Sequence, residues 1–262
     1  MIFKFSDFIS EHKFWGKSIS EFLDWIKSKS DKYWIFFDSE TTGLPSDPYE
    51  TQLTQISCLV TKYDPKSNEF IEVDSFNKKL KLTKNTLDLM KKSGNKIKSI
   101  LSFNRYGQSG IEFHDESESL SEFREFIQKW NNPILVIQNA QFDMRYLNTR
   151  GSVNFKNEVI DTKQVLQLFY LPLIQKLSEV DEKYKDLIQK IGTSSRDGGL
   201  ISSSMGKIGP ALGINMSGYH DALTDCRLAM EMFTKVVDLL KKNIDVDISK
   251  YQGERINKIR NI

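Results

Sequence analysis

The sequence predicts an α/β protein: a central sheet with helices packed against it. Three observations lead there. Residues 33–37, Tyr-Trp-Ile-Phe-Phe, are five large apolar residues in a row, too few for a free-standing helix and rich in aromatics, as in a strand buried on both faces. Leu53 to Val60 and Phe70 to Phe76 read as two further strands joined by the turn Asp64-Pro65-Lys66-Ser67-Asn68, and the short connections make the three strands antiparallel neighbours. Later, Ile134-Leu135-Val136-Ile137 passes into a helix and then into the short strand Val159-Ile160-Asp161-Thr162. A strand, helix, strand order runs new strands parallel to old ones and leaves a crevice at their carboxyl ends, where ligands bind.

At 262 residues, 39% of them apolar and 27% charged, the chain is long enough to bury a core of its own. The net charge of +2 argues neither for nor against a polyanionic partner. Cys58 and Cys226 stand alone in apolar contexts, away from zinc-ligand spacing, which predicts reduced thiols and a cytoplasmic setting. No stretch approaches the roughly 20 apolar residues of a membrane span. Asp7 and Glu11 among the first apolar residues argue against a signal peptide.

Taken in order, residues 1–31 read as a helical extension packing on the main domain, with Ile19, Phe22, Leu23 and Ile26 at helical spacing and Ser18 with Glu21 as a capping box. A polar loop at 45–52 follows the first strand. Residues 78–98 carry Lys78, Lys79, Lys81, Lys84, Lys91, Lys92, Lys96 and Lys98 against Asp88 alone. They read as a solvated helical face or as a phosphate-contacting patch. Residues 102–119 read as a loop or insertion. A helix is expected at about 119–130, capped by Ser119 with Glu122 and striped by Leu120, Phe123, Phe126, Ile127 and Trp130. Residues 163–192 read as mostly helical, 193–207 as a flexible Ser- and Gly-rich loop able to close over substrate, and 208–214 as a short apolar turn. The long final helix opens after Gly218-Tyr219-His220-Asp221. The tail from Asn243 to Ile262 is a docking peptide or a frayed end.

Carboxylates mark the ends of these elements. Asp38 and Glu40 follow the first apolar run two positions apart, so they project to one side of the strand. They belong either to an ordinary polar turn or to a site where a divalent cation separates two like charges. Thr41, Thr42 and Gly43 turn the chain sharply, leaving room for a ligand at the backbone. Asp143 lies just past the second buried strand, as a dipole-favoured helix acid or as a crevice ligand. Asp225 sits on the apolar stripe Ala222, Ala229, Val236, Leu240, where a bare carboxylate costs several kcal/mol unless paired. His220 precedes it by five residues. Each alone has a structural explanation; their coincidence at element ends favours a metal site.

Asp38-Ser-Glu40-Thr-Thr-Gly-Leu44, Asn139-Ala-Gln-Phe142-Asp143 and His220-Asp-Ala-Leu-Thr-Asp225 resemble, in order, the three exonuclease motifs of the DEDD superfamily. The histidine five residues before the last aspartate is similar to the branch containing proofreading subunits, ribonuclease T and oligoribonuclease. The similarity covers about residues 32–242, with 102–118 and 170–207 as insertions. It implies a ribonuclease-H-like fold with a mixed five-stranded sheet. It also implies hydrolysis from a 3′ end to nucleoside 5′-monophosphates with two Mg²⁺ or Mn²⁺ ions. Asp38, Glu40, Asp143 and Asp225 would hold the ions and His220 would be the general base, its usual pKa of about 6.5 suiting proton transfer near neutrality. Leu44 would wedge against the terminal base and the Thr41 backbone would grip the terminal nucleotide, with Asn139 and Phe142 in support. Tyr219 is either a stacking platform or a core aromatic. The expected substrate is the 3′ end of single-stranded or frayed DNA, in repair, replication or recycling, alone or within an assembly. An exoribonuclease and a nucleic-acid-end binding module that has lost catalysis are the alternatives.

Overall fold

The computed structural model describes residues 13–43, 51–92, 109–150 and 156–259. Leu44, the start of the 102–118 insertion, Lys96 and Lys98 lie outside them. Helix α1 (Ile19–Lys27) is capped as its sequence predicts: Ser18 accepts from the Glu21 N–H and the Glu21 carboxylate accepts from the Ser18 N–H. Its buried face, Ile19, Phe22, Leu23 and Ile26, joins the core of the sheet.

The sheet is β1 (Tyr33–Thr41), β2 (Leu53–Asp64), β3 (Glu69–Lys79), β4 (Ile134–Ile137) and β5 (Val159–Asp161), in the order β3-β2-β1-β4-β5. β1 and β3 both run antiparallel to β2, while β1, β4 and β5 are parallel to one another. The mixed five-stranded α/β architecture expected from the sequence is therefore present.

Alternation along β1 divides the core. Trp34 and Phe36 point into one cluster, beneath α1, α9 (Ala222–Lys242) and the helical run beginning at Thr162. Ile35 and Phe37 point into the other, beneath α3 (Glu116–Gln128) and α4 (Ala140–Arg150). Each fully buried apolar side chain of this kind contributes roughly 1.5–3 kcal/mol. That burial anchors β1 at the centre of the sheet and lets its end hold groups that repel one another.

Register opens the crevice. Phe37 is the last β1 residue paired with β4, opposite Ile137, whereas pairing with β2 continues through Asp38 opposite Ser57 and Glu40 opposite Gln55. The end of β1 thus overhangs β4, and the N-terminus of α4 fills in beside it.

Several expectations need correction. The helix predicted at 119–130 begins at Glu116, because Asp115 accepts from the Ser117 and Glu118 N–H groups and so caps it earlier than the Ser119/Glu122 pair would. The end of the expected insertion is structured too, since His114 pairs with Leu80 as a lone β-bridge. Residues 163–192 are mostly helical, as expected: α5 (Thr162–Val165) continues through a π-helical turn (Leu166–Tyr170) into α6 (Leu171–Leu177), and α7 (Glu182–Ile191) restarts after Asp181 caps it.

The stretch 193–207 is no free loop. Thr193 bridges Ile201, Ser195–Asp197 form a 3-10 turn, and α8 (Met205–Ala211) replaces the expected turn after it. Buried Asp197 accepts from the Ser203 N–H and hydroxyl and from the Gln167 amide. These bonds outweigh the Ser/Gly composition. The expected frayed tail is helix α10 (Ser249–Ile259), whose Arg255 is buried and donates to the Ile201 carbonyl at 2.6 Å. Burial pulls the Arg255 guanidinium down to about 10, with Asp197 opposing the shift. Between β3 and α3, α2 (Lys84–Lys92) carries part of the lysine-rich segment. Lys78 pairs with Glu122 and Lys79 with Asp221, so these two cations are held by the protein itself.

Candidate active site

The end of β1 sorts its side chains by period two. Asp38 and Glu40 continue the Trp34/Phe36 face, toward α9; Ser39 turns the other way, toward α4. The consequence is a direct tie: Ser39 donates to one oxygen of Asp143 from its N–H at 3.0 Å and from its hydroxyl at 2.6 Å. Asp143, in the first turn of α4, is 2% exposed.

From the other side comes the start of α9. Asp221 caps the helix by accepting from the Thr224 N–H. His220 stands just before it in a left-handed conformation, φ 75°, and its N–H donates to both oxygens of buried Asp225 at 3.2 and 3.3 Å. The imidazole is exposed and stacks on Tyr219, with centroids 4.0 Å apart. One ligand atom each from Glu40, His220 and Asp225 lies within 4.8 Å of the others.

These groups line one cavity of about 290 Å³. It brings together Asp38, Glu40, Asp143, His220 and Asp225, and with them Asn139, Phe142 and Tyr219. Tyr219 is therefore at the cavity rather than in the interior. Thr41 does not line it, because its hydroxyl donates to the Gly43 carbonyl at 2.6 Å and stabilises the turn. Gly43 is required there: a Cβ would sit 2.8 Å from the Thr51 methyl group. Leu44 is outside the described residues.

The charges are mutually unfavourable. Burial, then the charges of Asp143, Glu40 and Asp225, push the Asp38 carboxyl well above its usual range. Glu40 is pushed up to about 8, by burial and then by Asp225 and Asp143. Burial raises Asp143 to about 7 against the Ser39 hydrogen bonds, and Asp225 to about 7 against the His220 N–H. Burial also lowers the His220 pKa, which favours its neutral, proton-accepting form. A set of hard oxygen donors that resist ionisation beside one another fits a divalent cation, whose charge would reverse each shift.

Sequence reasoning missed the supporting residues. Buried Asp161 accepts from the backbone N–H groups of Asn139, Ala140 and Lys163 and so clamps the turn from β4 into α4. Its position at a strand's carboxyl end was a signal of the same kind as that of Asp143. Gln55 accepts from the Ala222 N–H and donates to Asp221, fixing the start of α9. Nothing in a β2 glutamine announces that contact in advance.

A mixed sheet in this strand order, with carboxylates at the overhanging end of its central strand and on the helices facing it, defines the exonuclease class of ribonuclease-H-like folds. The family described as DNA polymerase family B, exonuclease domain, matches residues 22–189, and the chain belongs to it. The matched span ends before His220 and Asp225.

Solved structures agree on the fold. The chain is similar to exonuclease I, with a TM-score of 0.50 and 14% identity over 80% of this chain and 43% of that one. It is likewise similar to E. coli exonuclease I in complex with a dT13 oligonucleotide, with a TM-score of 0.50 and 16% identity over 78% and 41%. The chain thus spans less than half the length of the exonuclease I chains it matches. No curated protein sequence matches it. Among the described residues no helix is long and apolar enough to cross a membrane.

Proposed function

We propose that this protein is a two-metal 3′→5′ exonuclease that shortens single-stranded or frayed DNA to nucleoside 5′-monophosphates. The observation that carries the reading is the convergence of Asp38, Glu40, Asp143, His220 and Asp225 on one cavity from β1, α4 and the start of α9. Family membership supports hydrolysis, and the dT13 complex of E. coli exonuclease I favours DNA as the substrate class.

In this reading Asp38, Glu40, Asp143 and Asp225 would hold two Mg²⁺ or Mn²⁺ ions, which would supply charge stabilisation at the scissile phosphate and activation of the attacking water. The protein's own groups do the rest. His220, exposed at the cavity mouth with its neutral form favoured, accepts the proton of the attacking water. Its N–H bond to Asp225 keeps its backbone at a fixed distance from a metal ligand. Tyr219, stacked on His220, limits the ring's swing, while Phe142 and Asn139, which line the cavity, wall the terminal nucleotide. Residues 32–242 form the exonuclease domain, 1–31 its helical extension and 243–262 a C-terminal element. The two buried free thiols, Cys58 and Cys226, support a cytoplasmic setting.

A time course with matched 5′-labelled DNA and RNA oligonucleotides, single-stranded and duplex, in Mg²⁺, Mn²⁺ and EDTA, tests the reading. The expected result is a descending ladder from the 3′ end of single-stranded DNA that EDTA abolishes. Preference for RNA would make the protein an exoribonuclease. Binding without shortening in either metal would leave a module that recognises ends.

A further inference from the structure

Besides the carboxylates, the cavity is lined by groups of different chemistry. Of the residues that line it, Lys163 alone is a lysine or arginine. Its backbone N–H donates to Asp161 at 2.8 Å, which fixes where the side chain leaves α5. Its ammonium donates to Asn139 Oδ1 at 3.4 Å, a long bond to a neutral amide. Among the described residues it makes no ion pair, unlike Lys78 and Lys79 at the far edge of the sheet. The Asp161 carboxylate feels the lysine's charge but is committed to three backbone donors.

Ser194 and Ser204 line the same cavity as Lys163, and no hydrogen bond of either hydroxyl is present among the described residues. Both residues stand at N-caps, and neither side chain makes a capping hydrogen bond. This part of the lining is also fixed in place: Asp197, which itself lines the cavity, is held by the Ser203 N–H and hydroxyl and the Gln167 amide, and Arg255 pins Ile201. A cation with three donor protons and only a neutral partner, beside two uncommitted hydroxyls on a rigid wall, is suited to an anion with several oxygens.

Charge balance says which anion. Four carboxylates and two divalent cations would cancel, and Asp197 adds a further carboxylate to the lining, so the catalytic side would have no net positive charge left for any phosphate beyond the one it attacks. A nucleic-acid strand carries one phosphate per nucleotide, and the next linkage must enter the same cavity. We propose that Lys163, with the Ser194 and Ser204 hydroxyls, forms a phosphate subsite for the linkage adjacent to the scissile one. The proposal rests on the exonuclease reading above. It makes Lys163 a substrate-binding residue that sets how firmly a strand, as opposed to a single nucleotide, is held.

The test compares the wild-type chain with Lys163→Gln, Lys163→Met and Lys163→Arg. Lys163→Gln can still donate to Asn139 and lacks only the charge, and thermal melts establish that each variant is folded. Oligonucleotide binding is followed by fluorescence anisotropy in Ca²⁺ across a salt series, and turnover is followed in Mg²⁺. The expected result for Lys163→Gln and Lys163→Met is a KM raised about 5- to 10-fold with kcat within about twofold. The log–log salt slope should fall by about 0.7, the single-strand value per phosphate, and Lys163→Arg should stay near wild type.

A methylphosphonate placed only at the penultimate linkage should weaken wild type by a similar factor and leave Lys163→Gln unaffected. Wild-type affinity and slope in Lys163→Gln, or a methylphosphonate penalty equal in both proteins, would overturn the proposal while leaving the exonuclease reading intact. Failure of the wild-type protein to bind or shorten any oligonucleotide would overturn that reading, and the subsite with it.

Discussion

Ser39 and Asp143, 104 residues apart, are joined by two hydrogen bonds to one carboxylate oxygen, at 3.0 Å from the N–H and 2.6 Å from the hydroxyl. The tie locks β1 to α4 at the point where Asp38, Glu40 and Asp143 must approach despite their charges. It also works against burial, which raises Asp143 to about 7. Ser39→Ala removes the hydroxyl bond and keeps the backbone one. A hydrogen bond to a charged group is worth about 1.5–3 kcal/mol. The acid limb of the kcat/KM profile should therefore move up by about one to two pH units. An unmoved limb would mean that Asp143 ionisation does not limit activity.

Asp38 is a group the metal-free fold holds at a cost, since burial and the neighbouring carboxylates of Asp143, Glu40, Asp225 and Asp221 disfavour its charge. Asp38→Asn should abolish turnover yet raise the metal-free Tm by a few degrees. For a chain of this size each kcal/mol is worth about 2–4 °C. Calorimetry in EDTA together with the oligonucleotide ladder checks both halves, and wild-type turnover in the variant would remove Asp38 from the metal set.

His220 is exposed, and its backbone N–H is tied to Asp225. His220→Ala should slow turnover by about 10²- to 10⁴-fold, the usual worth of a general base, and leave Mn²⁺ affinity by titration calorimetry within a few-fold. Retained turnover would remove His220 from the proton transfer. Loss of metal binding would make it a ligand, as its proximity to Glu40 and Asp225 allows.

The raised carboxyls also set a pH dependence. Glu40 at about 8 and Asp143 and Asp225 at about 7 lie above the roughly 4 of an unfolded chain. Between those limits the native state binds more protons than the unfolded state, so stability falls as pH rises from about 4 to about 8 and then levels. In EDTA, Tm should drop between pH 5 and pH 8. Added Mn²⁺ should raise it more at pH 8, where cation and proton no longer compete. A Tm independent of pH would mean that the carboxylates do not share one desolvated site.

Arg255 connects the last helix to the wall of the cavity through Ile201, and its Nε is buried with no hydrogen-bond partner among the described residues. Arg255→Ala should destabilise the fold by about 1–3 kcal/mol, leaving the Ile201 carbonyl short of its donors. Denaturant melts check this, and an unchanged midpoint would make α10 peripheral.

Much of this was legible in advance because it depends on local periodicity. The aromatic run 33–37 could only be buried on both faces, and period two then put Asp38 and Glu40 on one side. Capping chemistry was legible at Ser18, where both partners lie within one turn, and misread at Ser119, where Asp115 offered an earlier cap. Composition misled at 193–207: Ser and Gly suggest a loop, but the partners that order it, Gln167 and Arg255, lie 30 and 54 residues away from the groups they bind.

What the sequence by itself determined, then, is the α/β class, the buried strands and the identity of the carboxylates, because each is set by neighbours within a few residues. What only the tertiary structure decided is which groups meet: Ser39 with Asp143, Gln55 with Asp221, and Lys163 in one cavity with Asp38 and Glu40. Those contacts depend on how far β1 overhangs β4 and where α4 and α9 begin against it. Such quantities are fixed by packing across the sheet, where residues distant in the chain compete for the same space.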